Sequence, residues 1–283
     1  MRQISEFGNR PSCSKGGWTV RCVSGLSEAA YTAPLSVRLF GVVGLKFNSI
    51  VVNSIIFNQF DVDAAIVDLD GTMVDTLGDF VLALNCMLAD LPPVYRRFTV
   101  DRSKVALLVG KGSEHLLKSV LELAFGSTMA DLDALYDAAW TGYQQHYLRI
   151  NGQHATVYPG VVAGLQQLRA QGLKLACLTN KPTAFALPLL QAKGLDGFFE
   201  QVFGGDAFER KKPDPLPLLK TCQALATTPG RTLMIGDSSN DAQAARAAGC
   251  PVLLVTYGYN HGEPIRAVDA DAFVDSLEQS AAA

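Results

Sequence analysis

The apolar residues of the chain form two kinds of pattern from about residue 61 onward. Four continuous apolar runs are the candidate strands, at residues 64–67, 173–178, 232–235 and 252–255. Strands buried on both faces of a parallel sheet have this continuous pattern. Segments 160–172 and 239–249 instead have the spacing of amphipathic helices, and each ends at a glycine. The alternation predicts an α/β fold with a doubly wound, mainly parallel sheet and a Rossmann-like core.

A long helical stretch interrupts this alternation at residues 77–157. Three segments within it have helical spacing, at 77–91, 112–126 and 131–150. No strand-like run lies among them, so we expect a helical cap inserted between the first strand and the rest of the sheet. The α/β core then consists of residues 61–76 and 158–276, followed by a tail at 277–283.

Residues 1–60 differ from both parts. They carry six Arg and Lys residues but only two Glu, and they are rich in Ser. Three interpretations stay open: a transit peptide, a weak membrane anchor that Lys46 interrupts, or a stretch without a folded role that results from a chain start placed too early. We expect an N-terminal extension that is disordered or does not belong to the fold.

The composition of the 283-residue chain narrows the class of protein. Hydrophobic residues make up 48% and charged residues 18%, which is typical of a globular protein. The net charge of −3 argues against a nucleic-acid partner, and no uncharged apolar run reaches the roughly 18 residues of a membrane span. Six cysteines without a CxxC pair indicate reduced thiols and a cytoplasmic location. The oligomeric state stays open.

Polar side chains follow three of the predicted strands. The groups at these strand ends are Asp68 and Asp70, Thr179 and Asn180, and Asp237 with Asp241 four residues later. Between the second and third strands lies the sequence KKPDP, residues 211–215. Because the carboxyl ends of parallel strands meet at one edge of a sheet, we expect these groups to converge there. Buried acids are costly without a cation, so their convergence predicts a cation site.

Such a set of residues suits phosphoryl transfer. A carboxylate can attack phosphorus and form an aspartyl-phosphate. Both reactants are anionic, and one such pair at 4 Å costs about 4 kcal/mol at an effective dielectric constant near 20. A Mg²⁺ ion held by carboxylates offsets this repulsion, while a lysine and a hydroxyl group can hold the remaining phosphate oxygens. A second acid can protonate the leaving oxygen and then activate water.

Four ordered motifs resemble those of haloacid dehalogenase superfamily phosphatases: DLDGTMVD (68–75), TNKP (179–182), KKPDP (211–215) and GDSSND (236–241). By this resemblance Asp68 is the nucleophile and Asp70 is the general acid and base. The phosphate-binding residues would be Thr72, Thr179, Asn180 and Lys212. The Mg²⁺ ligands would be the Asp68 carboxylate, the backbone carbonyl of Asp70, and Asp237, with Asp241 in support.

Within the superfamily, TNKPT (179–183), GDSSNDAQAARAAGCP (236–251) and TYGYN (256–260) most resemble bacterial phosphoglycolate phosphatases. This resemblance implies an α-helical cap and the hydrolysis of a small phosphate ester, 2-phosphoglycolate, to glycolate and phosphate. A pyrophosphatase, a sugar phosphatase or a phosphomutase stays an alternative, since phosphomutases share the Asp pair. A binding protein with an inactive site is a further alternative, against which the complete set of motif residues argues.

Phosphoglycolate carries a carboxylate beyond its phosphate, and a cation is needed to meet it. Lys111, in the turn GKG (110–112), lies just before a helix predicted to begin near Ser113. The free N–H groups and the dipole of a helix N-terminus favour an anion. The turn also resembles the cap loop that faces the active site in the family. Lys181 is the second candidate for this contact.

Removal of residues 1–58 should leave the fold and the turnover unchanged, because this stretch carries no motif and little periodicity. A chain that begins near Phe60 should match the full chain in soluble yield, in thermal unfolding temperature and in the rate of phosphate release. Loss of solubility or of activity would show instead that the extension packs on the core.

Overall fold

The computed structural model describes residues 60–93, 98–126 and 129–278. The extension predicted for residues 1–60 therefore lies outside the described residues, except for Phe60. Within the described part, no helix combines the length and the apolar character needed to cross a membrane.

The strands and helices of the described residues alternate along the chain. The strands are β1 (Ala64–Val67), β2 (Val74–Asp75), β3 (Thr156–Val157), β4 (Lys174–Leu178), β5 (Gln201–Phe203), β6 (Thr232–Gly236), β7 (Val252–Val255) and β8 (Ala272–Val274). The helices are α1 (Leu77–Asp90), α2 (Arg102–Leu108), α3 (Ser113–Phe125), α4 (Met129–Ile150), α5 (Val161–Ala170), α6 (Thr183–Ala192), α7 (Leu216–Ala224) and α8 (Ser239–Ala248).

The main sheet has six parallel strands in the order β5-β4-β1-β6-β7-β8. This order confirms the predicted α/β fold, and the four predicted strands are β1, β4, β6 and β7. Strand β1 lies between β4 and β6, because Val67 pairs with Cys177 on one side and with Ile235 on the other. The residues that follow these three strands therefore lie side by side at one edge of the sheet.

Strands β5 and β8, at the two edges of the sheet, were not predicted. Each has three residues, and most of these are only partly buried. An edge strand pairs on one side only and need not be covered on both faces, so it leaves no continuous apolar run in the sequence.

The central strand is covered on both faces, which explains its unbroken apolar run. Ala65 and Val67 belong to one hydrophobic cluster with residues of α5 and α6. Ala64 and Ile66 belong to a second cluster with residues of α7 and α8. Successive side chains of a strand point to opposite faces, and here each face meets helices.

Helices α1 to α4, residues 77–150, are called the helical segment below. They share a hydrophobic cluster that is separate from the two clusters of the sheet. Aromatic rings are prominent in it: Phe80 of α1 stacks on Tyr147 of α4, with ring centroids 5.2 Å apart. Phe185 of α6 joins this cluster and contacts the Tyr147 ring at 4.8 Å. The segment therefore packs as a unit and also meets the α/β part through Phe185.

A two-stranded antiparallel ribbon joins the ends of the helical segment. Val74 of β2 pairs with Val157 of β3, and Asp75 pairs with Thr156. The prediction that residues 77–157 contain no strand is therefore wrong at the last two residues. A strand of two residues is too short to leave a periodic pattern, and its pairing depends on residues about 80 positions away.

The core also extends beyond its predicted end at residue 276. Leu277, which was assigned to the tail, is fully buried in the cluster on the α5 side. Gly164 of α5 makes room for it, since a Cβ atom there would lie 2.5 Å from the carbonyl oxygen of Leu277. A single apolar residue in a polar terminal stretch gives no pattern from which this contact could be predicted.

Candidate functional site

Three buried carboxylates meet at the carboxyl edge of the sheet. Asp68 follows β1, Asp237 follows β6, and Asp241 lies in the first turn of α8. One carboxylate oxygen from each residue lies within 4.8 Å of the others. The convergence expected from the strand ends is therefore present for these acids. Carboxylate oxygens are the ligands that hard divalent cations prefer, so this cluster can hold a metal ion.

Lys212 faces two of these acids. Its Nζ lies 2.9 Å from Asp68 Oδ1 and 2.7 Å from Asp241 Oδ1, and it donates to the Leu178 carbonyl at 2.8 Å. Burial alone would lower the pKa of Lys212, but the carboxylates of Asp241 and Asp68 raise it above the ordinary lysine value. Lys212 therefore keeps its charge in a buried position.

One ammonium group does not neutralise three buried carboxylates. Burial, followed by the charges of Asp241 and Asp68, raises the pKa of Asp237 well above its ordinary value. Burial also raises the pKa of Asp68 to about 7, although Lys212 opposes this rise. Burial is the main cause of both shifts, and the neighbouring carboxylates add to them, so a bound divalent cation would favour the ionised forms. The residues present therefore fit a hard cation with oxygen ligands.

Asp241 also caps helix α8. Its Oδ2 accepts hydrogen bonds from the Ser238 hydroxyl at 2.8 Å, from the Ser238 N–H at 3.1 Å and from the Asp237 N–H at 3.2 Å. Ser238 and Asp241 together form a capping box. Because Lys212 contacts its other oxygen, Asp241 is fixed in place, which suits a supporting role.

Asp237 is held from two sides. The Thr72 hydroxyl donates to Asp237 Oδ1 at 3.1 Å, and the Tyr259 N–H donates to Oδ2 at 2.8 Å. The structure thus places Thr72, predicted to bind phosphate, against an acid of the cluster. Gly71 has a φ of +83°, and a side chain there would collide with Asp237 Oδ2. The glycine of the DLDGT sequence therefore allows this close approach.

Asp70 has different partners from Asp68. Its Oδ1 accepts hydrogen bonds from the Thr76 hydroxyl at 2.7 Å and from Lys181 Nζ at 3.1 Å. Lys181 Nζ also donates to the Tyr147 hydroxyl at 2.6 Å. Burial lowers the pKa of Lys181, although the nearby Asp70 carboxylate opposes this shift. Asp70 therefore has its own ammonium group, separate from Lys212.

A small pocket lies between the sheet edge and the helical segment, with a volume of about 350 Å³ including its opening to solvent. The strand-end loops contribute Asp68, Asp70, Thr179, Asn180 and Lys181 to its lining. The helical segment and the turn before α3 contribute Phe80, Val109, Gly110, Gly112, Ser113 and Leu116. Both predicted catalytic acids thus face one cavity.

The Asn180 side chain forms hydrogen bonds with the backbone of two loops. Its Nδ2 donates to the carbonyls of Lys212 at 2.8 Å and Gly110 at 3.0 Å, and its Oδ1 accepts from the Lys212 N–H at 3.0 Å. Asn240 of α8 donates to the same Gly110 carbonyl at 3.2 Å. Asn180, predicted to bind phosphate, therefore positions the Lys212 loop and the turn before α3.

The two lysines predicted to meet a substrate carboxylate lie in different environments. Lys181 lines the pocket with a fully buried side chain. Lys111 is exposed, and only its neighbours Gly110 and Gly112 line the pocket. The two glycines have φ values of +107° and +92°, a conformation in which residues with side chains are strained.

Two tyrosines of the site were missed in the sequence. Tyr259 lies within the quoted TYGYN stretch, but nothing there indicated that its hydroxyl donates to Asp75 at 2.9 Å. Tyr147 has the spacing of a core residue of α4, which hides the bond of its hydroxyl to Lys181. An aromatic residue at a helical core position carries no signal for such a contact.

The chain is also similar in sequence to known proteins. The haloacid dehalogenase-like hydrolase family matches residues 62–249. A phosphoglycolate phosphatase from Thiobacillus denitrificans is 43% identical over 221 residues, which cover 78% of this chain and 94% of that protein. Another, from Cupriavidus necator, is 45% identical over 215 residues, which cover 76% of this chain and 90% of that protein.

Solved structures also resemble the fold. A predicted phosphoglycolate phosphatase from Haemophilus somnus is 32% identical with a TM-score of 0.71, and the match covers 77% of this chain and 96% of that one. A protein from Thermotoga maritima described as a β-phosphoglucomutase has 22% identity and a TM-score of 0.58, over 76% of this chain and 95% of that one. The latter likeness concerns the fold alone.

Asp237→Asn should raise the unfolding temperature of the metal-free protein, and more at pH 8 than at pH 5. The folded-state pKa of Asp237 is raised, so ionisation of this acid costs stability as pH rises above about 4, the unfolded value, whereas asparagine does not ionise. Thermal unfolding in EDTA at both pH values measures this difference. Millimolar Mg²⁺ should then stabilise the wild type more than the variant.

Asp63→Asn is the matched control, because Asp63 is an exposed carboxylate at the opposite end of β1. A hydrogen bond from Arg231 lowers the pKa of Asp63, so this acid is ionised at both pH values. If Asp237→Asn changed the unfolding temperature equally at pH 5 and pH 8, the interpretation that ionisation of Asp237 destabilises the metal-free cluster would be wrong.

Proposed function

This chain belongs to the haloacid dehalogenase-like hydrolase family, and we propose that it is a Mg²⁺-dependent phosphatase that hydrolyses 2-phosphoglycolate to glycolate and phosphate. The main support is that Asp68, Asp70 and Thr179 line one small pocket beside the carboxylate cluster and Lys212. Identity of 43% over nearly the full length of a phosphoglycolate phosphatase supports the choice of substrate.

In the first half-reaction, a carboxylate oxygen of Asp68 forms a bond to phosphorus, and the bond from phosphorus to the glycolate oxygen breaks. Asp70 gives its proton to that leaving oxygen. In the second half-reaction, Asp70 takes a proton from the water molecule that attacks phosphorus. The bond from phosphorus to Asp68 then breaks, which releases phosphate and restores both acids.

Lys212 and Thr179 assist by binding oxygens of the transferring group. Lys212 already contacts Asp68, so its charge lies where nucleophile and phosphate approach each other. Asp68, the backbone carbonyl of Asp70, and Asp237 would hold Mg²⁺, which supplies the positive charge that two like-charged reactants need. Asp241, fixed by its cap bonds, supports this set.

The first turn of α3 is the proposed contact for the substrate carboxylate. Gly112 and Ser113 line the pocket, and the N-cap residue Gly112 provides no side-chain cap, so N–H groups of this turn are available to an anion. Lys111 is exposed and, on this view, acts on the substrate through water and at longer range. A small pocket with an anion site opposite the acids suits a two-carbon phosphate ester.

We also propose a cytoplasmic location and a small-molecule partner. The four cysteines of the described residues, Cys86, Cys177, Cys222 and Cys250, are free thiols, which supports a cytoplasmic location. The partner is a small phosphate ester.

A phosphate-release assay tests the function. The panel contains 2-phosphoglycolate, pyrophosphate, sugar phosphates and nucleotides at equal concentration, each with Mg²⁺ and with EDTA. Release should be fastest with phosphoglycolate, and EDTA should abolish it. Faster phosphate release from pyrophosphate or a sugar phosphate would reassign the substrate. Isomerisation of a sugar phosphate with little net phosphate release would indicate a mutase. No phosphate release from any compound would indicate a binding protein.

Asp68→Asn should reduce turnover by at least about 10³-fold, because the amide cannot act as the nucleophile. Asp70→Asn should reduce it by about 10² to 10⁴-fold, the usual contribution of a general acid and base. Single-turnover and steady-state phosphate release measure both losses, with Asp63→Asn as an exposed control. Near wild-type turnover in either variant would refute that residue's role.

Ser113→Pro should raise KM for phosphoglycolate about two- to tenfold more than KM for ethyl phosphate, which lacks the carboxylate, because proline is tolerated at the first helical position but has no N–H. Lys111→Ala should change the two KM values by similar, small factors, because exposed charges are screened. The measurement is KM for both esters in both variants. A selective effect of Lys111→Ala alone would instead assign the carboxylate contact to this lysine.

A further inference from the structure

We propose that Lys181 and Tyr147 position the Asp70 carboxylate for proton transfer, so that helix α4 takes part in the acid–base step. This inference rests on the proposed function, since it concerns the acid that serves the leaving group. Lys181 is then a positioning residue and not the ligand of the substrate carboxylate.

The surroundings of Lys181 support this role. Its side chain is fully buried, with Nζ 3.1 Å from Asp70 Oδ1 and 2.6 Å from the Tyr147 hydroxyl. The same ammonium group lies 4.4 Å from the ring centroid of Phe80 and 4.6 Å from that of Tyr147. A carboxylate, a hydroxyl and two ring faces therefore surround it. An ammonium group with these partners has little capacity left for a substrate anion.

The contacts of Asp70 show what the lysine achieves. Lys181 and the Thr76 hydroxyl both donate to Oδ1. The other oxygen, Oδ2, lies 3.4 Å from Lys181 Nζ and is held more weakly. Two donors on one oxygen fix the orientation of the carboxylate and leave Oδ2 as the oxygen better placed to exchange a proton. Such orientation matters because proton transfer requires hydrogen-bond distance and alignment.

Tyr147 connects this arrangement to the helical segment. Lys181 follows strand β4, whereas Tyr147 lies in α4, so their hydrogen bond links the sheet edge to the helical segment. The Tyr147 ring is fixed by Phe80 on one side and Phe185 on the other. A hydroxyl on a ring packed in this way holds the lysine in one orientation. The packing of α4 thus contributes to the placement of the Asp70 carboxylate.

Substrates with different leaving groups separate this role from carboxylate binding. Glycolate and ethanol are poor leaving groups that need a proton from Asp70, whereas p-nitrophenolate leaves without one. A variant with a misplaced Asp70 should therefore lose kcat/KM for phosphoglycolate and ethyl phosphate but keep it for p-nitrophenyl phosphate. The quantity is kcat/KM because it covers the steps up to leaving-group release and not the later attack of water, which Asp70 assists for all three esters. A variant that lost a carboxylate ligand should instead show a raised KM for phosphoglycolate alone.

The experiment compares kcat/KM and KM for these three esters in Lys181→Met, Tyr147→Phe, Asp70→Asn and Tyr143→Phe. We expect the kcat/KM ratio of p-nitrophenyl phosphate to ethyl phosphate to rise about tenfold to 100-fold in Lys181→Met and about threefold to tenfold in Tyr147→Phe. Tyr143→Phe is the matched control, because it removes a buried hydroxyl of α4 that does not hydrogen-bond to Lys181 or Asp70. Its ratio should stay unchanged.

The two hypotheses fail in different ways. An unchanged ratio in both Lys181→Met and Tyr147→Phe, with a raised ratio in Asp70→Asn, would overturn this inference and leave the proposed function intact. An unchanged ratio in Asp70→Asn itself would overturn the assignment of Asp70 and this inference with it. Tyr147→Phe keeps the ring packing, so it decides the matter if Lys181→Met fails to fold.

Discussion

The crowding of negative charge around Asp68 is the constraint on which the rest of the site depends. Asp68 lies beside two further acids within 4.8 Å, and in its proposed role as a nucleophile toward an anionic phosphate it needs positive charge. The parallel sheet produces this crowding because β1 lies between β4 and β6. Lys212 balances part of the charge from within the protein. The remainder defines a place for a divalent cation.

The same carboxylates are linked to the ribbon at the base of the helical segment. Tyr259 donates its N–H to Asp237 Oδ2, and its hydroxyl donates to Asp75 of β2 at 2.9 Å. That hydroxyl also accepts from the Thr76 N–H at 2.9 Å, and the Thr76 side chain donates to Asp70. Tyr259 and Thr76 thus link Asp237 to Asp70 through their hydrogen bonds. The ribbon is therefore part of the support of both groups.

The features that could be predicted from the sequence were those that the course of the backbone determines. The continuous apolar runs predicted the central strands, and a parallel sheet places the residues after those strands at one edge, so the convergence of Asp68 and Asp237 followed. The partners of these acids could not be predicted in the same way. The Asn180 side chain donates hydrogen bonds to the Lys212 and Gly110 carbonyls. These contacts depend on the conformation of the loops and not on the spacing of residues in the sequence. Tyr147 has the pattern of an ordinary core residue.

The site also explains how two acids only two positions apart can have different tasks. Each has its own buried ammonium group from a different loop: Lys212, after β5, for Asp68 and Lys181, after β4, for Asp70. Asp68 belongs to the carboxylate cluster, where burial raises its pKa to about 7, and a bound cation would favour the ionised form that its proposed role requires. Asp70 has the Thr76 hydroxyl beside its lysine and lies outside that cluster. Separate partners for neighbouring carboxylates suit the proposed division of roles, in which Asp68 attacks phosphorus and Asp70 transfers the proton, because paired acids in enzymes differ in role when their environments differ.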